Sequence, residues 1–307
     1  MLATAQISNA DPVGASTTLE HALAVANATV GEDSLVAANV ENDLAVALNP
    51  QGRYREAIAH LEKSVAITER LRPGAHVATA YSLNNLGSLY ESLGDYAKAE
   101  SLMRAGIAAI EAESPDESQL DSFRSNLART LMFRGDLAGA RALIERALLN
   151  IAARDGERSF LHAFQTFRLA RLELAAGNLA DATRDLDDAV HVLDGMLPPQ
   201  HPVRVQFNAL RGMIAKEAGD LPVAQRELEA AELAQAALPG ADPVLIATIR
   251  MRLAAVLVAR GQLPAARQKL DLAMPVLEAS LLPTAVERRD GVACRAELVR
   301  QETMMRH

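Results

Sequence analysis

The side chains that most often carry out catalysis are few in this sequence and lie far apart. Cys294 is the only cysteine, and no histidine lies near it in the chain. The seven histidines are His21, His60, His76, His162, His191, His201 and His307. No two of them have the spacing of metal ligands on one helix, and the sequence has no glycine-rich phosphate loop. We therefore predict no catalytic site, no metal site and no cofactor, and a protein that is not an enzyme.

Asparagine and arginine side chains are more informative, because they recur at two repeat positions, nine and six residues before the turn glycine. The set comprises Asn85, Asn126, Arg129, Arg168, Arg171 and Arg252. An amide can bond the backbone of an extended peptide, and a guanidinium can bind a carboxylate through two parallel hydrogen bonds. The set predicts a site for an extended, acidic peptide. The alternative is that these side chains are solvated or paired with acids of neighbouring helices.

Aromatic side chains lie close to two of these arginines. Phe160, Phe164 and Phe167 follow one another at spacings of four and three residues, so a helix would place them on one side. Phe164 and Phe167 together predict an apolar pocket that anchors a peptide side chain beside the arginines. The alternative is that the aromatic stripe is ordinary core between helices.

Regularly spaced glycines indicate the elements that would position these side chains. The glycines are Gly52, Gly94, Gly135, Gly177, Gly219 and Gly261, at intervals of 42, 41, 42, 42 and 42 residues. A fixed period in this range is typical of a stacked repeat array. Each glycine is expected to adopt the left-handed conformation that ends one helix before the next begins.

Other positions repeat around each glycine. Five residues after it stand Ala57, Ala99, Ala140, Ala182, Ala224 and Ala266. Seven residues before it stand Ala45, Gly87, Ala128, Ala170, Gly212 and Ala254. Small residues allow two helix backbones to approach closely, while larger neighbours fill the space beside them. The pattern therefore predicts pairs of helices packed along seams of small residues.

The pattern resembles the tetratricopeptide repeat, and residues 77–112 resemble the long-period form found in kinesin light chains. The resemblance covers about residues 35–280. It implies an all-α fold, a right-handed superhelical solenoid in which the first helix of each pair lines a concave groove. Family members often place an asparagine nine residues before the turn glycine to hold a peptide backbone, and Asn85 and Asn126 match that position.

The register predicts one domain over residues 1–307. Residues 1–34 form an N-terminal half-repeat, residues 35–280 form six repeats, and residues 281–307 form a C-terminal capping helix. The six helix pairs are expected at residues 35–70, 77–112, 119–153, 159–196, 202–236 and 243–279. The charged last helix is expected to shield the final apolar face of the array.

Composition narrows the classes of partner. The net charge is −8, with 31 basic and 39 acidic side chains, which argues against nucleic acid because phosphate binding needs a basic surface. Residues 1–16 lack the features of a secretory signal, and no apolar stretch is long enough to span a membrane. We expect a cytoplasmic protein, or a periplasmic one if the chain comes from a membrane-anchored protein. The oligomeric state is left open.

Two functional interpretations remain from the sequence. The first is a non-catalytic module that binds a peptide or a partner protein in its concave groove. The second is a regulatory or sensor segment of a larger bacterial signalling protein, such as a kinase or a transcription regulator. An upstream reading frame that encodes a kinase or DNA-binding domain would favour the second.

Overall fold

The computed structural model describes residues 11–73, 76–113, 117–198, 201, 203–238 and 240–305. Over these residues the protein contains fourteen α-helices and no strand. They are α1 (Pro12–Val30), α2 (Leu35–Leu48), α3 (Tyr54–Leu71), α4 (His76–Leu93), α5 (Tyr96–Glu113), α6 (Glu117–Phe133), α7 (Leu137–Asp155), α8 (Phe160–Ala175), α9 (Leu179–Asp194), α10 (Arg204–Glu217), α11 (Leu221–Ala236), α12 (Pro243–Ala259), α13 (Leu263–Ser280) and α14 (Val286–Met304).

The order of the helices confirms the predicted all-α repeat fold. Six pairs run from α2–α3 to α12–α13, each at the place that the 42-residue register predicts. The first helix of every pair is α2, α4, α6, α8, α10 or α12, and the second helix follows the turn glycine. Helix α1 precedes the six pairs, and α14 follows them, as the half-repeat and the last helix of the prediction.

By their internal contacts, the described residues group into two compact units. The first unit lies within Met1–Thr130 and Pro239–Asp242, and the second lies within Leu131–Leu238 and Pro243–His307. The first unit therefore holds α1 to α5 and most of α6, whereas the second holds the last turn of α6 and α7 to α14.

The turn glycines adopt the conformation that the sequence predicts. All six have positive φ angles, between 70° and 96°, in the region that favours residues without a Cβ atom. Asp95, Asp136 and Asp220 follow three of these glycines and accept a hydrogen bond from the backbone N–H three residues later. Such a side chain satisfies an N–H group at the start of the second helix, so the turn both ends one helix and caps the next.

The seams between paired helices are as close as the small residues predict. All six alanines five residues after the turn glycines are completely buried. A Cβ atom on Gly87 in the first unit would lie 2.8 Å from Met103 Cγ and 3.1 Å from the carbonyl oxygen of Ala99. A Cβ atom on Gly212 in the second unit would lie 2.8 Å from Leu228 Cγ. These two helix pairs therefore approach too closely for any larger residue without local movement.

Candidate functional site

Helix α2, the first helix of its pair, has a narrow exposed side. On α2 the exposed positions are Val36, Asn39, Asp43 and Val46, at helical spacings of three, four and three. These residues stand 16, 13, 9 and 6 positions before the turn glycine, and we call the same four positions on α2, α4, α6, α8, α10 and α12 the first-helix stripe. Most side chains between them on α2 are buried, so the stripe is where a ligand can meet this helix. On α10 and α12 the stripe also includes the buried residues Leu210 and Thr248.

In the first unit, asparagine side chains connect successive first helices along the stripe. Nδ2 of Asn85 donates to Oδ1 of Asn42 at 3.4 Å, and Nδ2 of Asn126 donates to Oδ1 of Asn84 at 3.3 Å. Both predicted residues, Asn85 and Asn126, are half-buried, and Asn84 is buried. Asn42 and Asn84 were not among the residues predicted from the sequence, although their spacing of 42 residues is a signal that could have identified them.

Arg129 also lies in the first unit, where it contacts a buried carboxylate. Its Nε is 2.6 Å from Oε1 of Glu91, and the Thr130 hydroxyl donates to Oε2 of Glu91 at 2.8 Å. Glu91 is only 5% exposed, so its charge requires a partner of this kind. The guanidinium that the sequence assigns to a peptide carboxylate is therefore paired with a carboxylate of its own chain.

The second unit has a basic and aromatic surface on and beside the stripe of α8. The guanidinium of Arg168 lies 5.3 Å from the centroid of the Phe164 ring, a cation–π arrangement. Phe160 is partly exposed and stacks on Phe164, with their centroids 6.1 Å apart. Arg171 is half-buried and lies one turn after Arg168 on the same side of the helix. We call Phe160, Phe164, Arg168 and Arg171 the basic–aromatic patch.

Phe167 belongs to the core and not to this patch. It is 3% exposed and stacks on Phe207 of α10, with ring centroids 4.2 Å apart. The surrounding buried side chains include Ala163, Ala170 and Leu210. Of the two alternatives for the aromatic stripe, Phe167 therefore follows the packing interpretation, while Phe164 remains partly accessible at the edge of the same cluster.

Arg252 lies on the stripe of α12, where charges of the last helix, α14, act on it. Burial lowers the pKa of Arg252, and the negative charges of Glu287 and Asp290 on α14 act in the opposite direction. For Asp290, burial raises the pKa, while Arg252 is the largest influence that lowers it. Two negative charges that act on Arg252 thus come from α14, for which the sequence predicted only a capping role.

The described part of the chain was also compared with the requirements of a metal site, a reactive thiol and a membrane span. No cluster of three or more His, Cys, Asp or Glu side chains there could hold a metal ion. Burial raises the pKa of the Cys294 thiol to about 11, which keeps it protonated and a poor nucleophile at neutral pH. Among the described helices, none has the length and apolar character needed to cross a membrane.

Comparison with known families gives matches to one description, the tetratricopeptide repeat. One form of the repeat matches residues 2–70 and residues 36–112, and a second form matches residues 122–146 and 247–271. Among curated proteins, the sequence search found no match. The matched residues include parts of both units.

Three different proteins of known structure have a fold similar to that of this chain. The crystal structure of BtubC (BKLC) from P. vanneervenii has a TM-score of 0.54 at 19% identity, over 74% of this chain and 90% of that chain. A putative kinesin light chain of Podosopora anserina with TPR-like repeats has a TM-score of 0.51 at 23% identity, over 62% and 91%. The Rap conjugation gene regulator of the plasmid pLS20, in complex with the Phr* peptide, has a TM-score of 0.59 at 14% identity, over 87% and 76%. At these low identities the similarity extends to the fold alone.

Proposed function

Because the chain belongs to the tetratricopeptide repeat family, we propose that it is a non-catalytic interaction module that binds an acidic segment of a partner protein. The observation that carries the proposal is the basic–aromatic patch on α8. Arg168 lies over the Phe164 ring, and Arg171 follows one turn later on the same accessible side. The patch thus combines two guanidinium groups with an apolar surface on one helix.

The chemistry of the patch favours carboxylates next to an apolar side chain. A guanidinium presents a rigid set of donors that matches a carboxylate, and stacking on an aromatic ring orients it before the ligand arrives. The partly exposed rings of Phe160 and Phe164 would contact an apolar residue of the ligand. Two neighbouring arginines also form a local exception in a chain of net charge −8, so they would attract acidic segments selectively.

A structural neighbour supports a peptide as the ligand. The Rap conjugation gene regulator was solved in complex with the Phr* peptide, and it shares the fold of most of this chain. That protein shows that a similar helical repeat array can bind a peptide. The residues that contact an acidic segment in the present protein are our own assignment, based on the patch.

The experiment begins with a displayed library of random decapeptides selected on the full chain. We expect an enriched class of peptides that combines acidic residues with one apolar residue. For labelled members of this class, Arg168→Ala with Arg171→Ala should lower affinity about tenfold or more, since each charge-assisted hydrogen bond contributes about 1.5–3 kcal/mol. Added salt should weaken binding to the parent, because screening reduces the attraction between charges.

A matched control changes two exposed arginines of the same unit that lie outside the patch. Arg226 and Arg300 are each about two-thirds exposed and pair with neighbouring acids. Arg226→Ala with Arg300→Ala should leave affinity for the acidic peptides unchanged. If no acidic class is enriched, or if both double variants bind it as the parent does, the assignment of the basic–aromatic patch is wrong.

A regulatory role within a larger protein is the second candidate, because the Rap neighbour is a gene regulator. In that case peptide binding to the array would change the activity of an attached domain. The measurement is the activity of a kinase or DNA-binding domain encoded in the same reading frame, with and without the enriched peptides. An attached domain whose activity does not respond to the peptides would exclude this role.

A further inference from the structure

The last helix, α14, continues the register of the first helices, but no second helix follows it among the described residues. Ala296 stands 42 residues after Ala254 of α12, at the position where each of the six pairs carries alanine or glycine. In the pair α12–α13, Ala254 is completely buried, whereas Ala296 on α14 is exposed. Helix α14 therefore presents a side suited to close helix packing with no described helix against it.

The opposite side of α14 is held firmly by the preceding pair. Cys294 and Leu298 are buried. Gly291 lies so close to Met251 of α12 and Met274 of α13 that a Cβ atom there would contact both side chains. The exposed side of α14 is therefore a surface of fixed orientation.

This exposed side carries a row of small and apolar residues. They are spaced by four, three and four residues, as one side of a helix requires. We call the row the outer face, and its members are Val292, Ala296, Val299 and Thr303. Val292 and Val299 are 53% and 48% exposed. Burial of this row against a second apolar surface would release water and stabilise the contact.

The charged side chains beside the outer face are arranged symmetrically about the midpoint of residues 298 and 299. Arg295 precedes this midpoint by as many positions as Glu302 follows it. Glu297 and Arg300 are related in the same way. The members of each pair lie on the same edge of the outer face, because seven and three residues are close to whole helical turns.

Two copies of α14 that pack antiparallel about this midpoint would bring opposite charges together. Arg295 of each copy would lie beside Glu302 of the other copy, and Glu297 of each would lie beside Arg300 of the other. A two-fold interface brings the same surface of both copies together and therefore needs a surface that complements itself. The charges of α14 meet this requirement.

These four side chains already have partners within the chain, and they remain partly accessible. Glu297 pairs with Arg300 at 2.7 Å, and Arg295 lies 3.4 Å from an acid of α13. Glu302 is paired with an arginine of α13, and 21% of its side chain is exposed. A carboxylate accepts several hydrogen bonds and a guanidinium donates five, so charges of a second copy can join these pairs.

Apolar side chains also match in the antiparallel arrangement. Val299 lies next to the two-fold axis and would pack on Val299 of the other copy. Met305 is 71% exposed and would lie over Val292, and Met304 is 61% exposed and would lie over Ala293. The pairing would therefore cover apolar surface that a single copy leaves in water.

We propose that the outer face of α14 is the interface of a homodimer, in which two α14 helices pack antiparallel about the midpoint of residues 298 and 299. Each helix then covers, on its partner, the side that a second helix covers in the six complete pairs. The interface is isologous, so it closes after two copies. It uses none of the residues of the basic–aromatic patch, and the inference does not rest on peptide binding.

Sedimentation equilibrium of the full chain measures the association directly. We expect a reversible equilibrium between one and two copies with a dissociation constant on the order of 10 µM, because an interface built on one helix is small. Concentrations from about 1 to 100 µM cover this range. A chain that stays monomeric over the whole range would overturn the proposal.

Charge reversal tests which residues face each other. Glu297→Arg alone and Arg300→Glu alone should each weaken the dimer tenfold or more, because like charges then lie opposite each other. An equimolar mixture of the two variants should form a heterodimer, because every close pair then joins opposite charges again. Each single variant also loses the ion pair within its own helix, but the mixture cannot restore that pair. Recovery in the mixture therefore reports contact between copies, and a mixture that stays monomeric would overturn the proposed arrangement.

The apolar part of the interface has a matched control. Val299→Glu should remove the dimer, because it places two like charges next to the two-fold axis. Leu149 on α7 is 73% exposed and lies outside the outer face, so Leu149→Glu should leave the dissociation constant unchanged. Circular dichroism checks that every variant keeps the helical content of the parent. A dimer that persists in Val299→Glu would show that the copies associate through another surface and would overturn the proposal.

Discussion

Arginines at the same repeat position have different surroundings in the two units. In the first unit, Arg129 stands six residues before its turn glycine and is bound to Glu91 of the preceding first helix. In the second unit, Arg171 has the same repeat position, but the residue that corresponds to Glu91 is Met132. The position that supplies a carboxylate to Arg129 therefore carries an uncharged thioether in the repeat before Arg171.

This difference shows that the repeat register sets where a side chain lies but not what it does. Both arginines are half-buried on the first-helix stripe, as a shared helix geometry requires. One acidic residue on the preceding helix converts the first of them into a structural group. The stripe positions nine and thirteen residues before the turn glycine also differ between the units. They include Asn85, Asn126 and Tyr81 in the first unit, and Arg168 and Phe164 in the second.

The largest expected effect is the difference in stability between two variants, one that lacks Arg129 and one that lacks Arg171. Arg129→Met should lower the free energy of unfolding by roughly 3 kcal/mol, because it leaves Glu91 buried without its cation. Arg171→Met should cost about 1 kcal/mol or less, as expected for a side chain with partial solvent access. Urea denaturation of the two variants measures the difference.

A double-variant cycle sharpens this comparison. When Glu91→Met is combined with Arg129→Met, much of the lost stability should return, because an apolar pair replaces the charged pair without leaving an isolated charge. Equal losses for Arg129→Met and Arg171→Met would contradict the distinction between the two arginine positions.

The packing seams should behave alike in both units, with an intermediate effect. Ala99 in the first unit and Ala182 in the second are completely buried at the same repeat position. Replacing either alanine by leucine should overpack its seam and cost roughly 1–3 kcal/mol, measured by thermal or chemical unfolding. The control is Ala66→Leu, at an exposed position of α3, which should be nearly neutral. A neutral effect in only one unit would show that the seams are not equivalent.

The smallest expected effect concerns a buried carboxylate of the second unit. Glu91 in the first unit has partners at both oxygens, whereas Asp185 on α9 is 5% exposed and its Oδ2 has no hydrogen bond. Burial raises the pKa of Asp185, and Arg184 only partly offsets this. A raised pKa in the folded state means that folding favours the protonated acid. Stability from this group is therefore present at low pH and is lost as the pH rises through the raised pKa.

Asp185→Asn removes the titrating group. The stability of this variant relative to the parent should therefore increase as the pH rises from the ordinary pKa of an aspartic acid to the raised pKa of Asp185. Chemical denaturation at several pH values measures this difference. A difference that is independent of pH would contradict the assignment to Asp185.

The sequence alone determined the repeat, the helix pairs and the buried alanines, because these depend on local chemistry. A glycine permits a positive φ angle, a small residue permits close helices, and both requirements recur every 41 or 42 residues in the chain. Helical periodicity also placed Phe164, Arg168 and Arg171 on one side of α8, whereas the candidate Phe167 on the same helix lies in the core.

Only the tertiary structure decided what those side chains contact. It paired Arg129 with Glu91 across two first helices, placed Phe167 against Phe207 in the core, and surrounded Arg252 with the charges of α14. Each of these contacts joins residues that are distant in the chain, and their partners depend on which residue the neighbouring repeat happens to carry. Periodicity constrains the position of a side chain, whereas its charge balance and burial are properties of the packed neighbours.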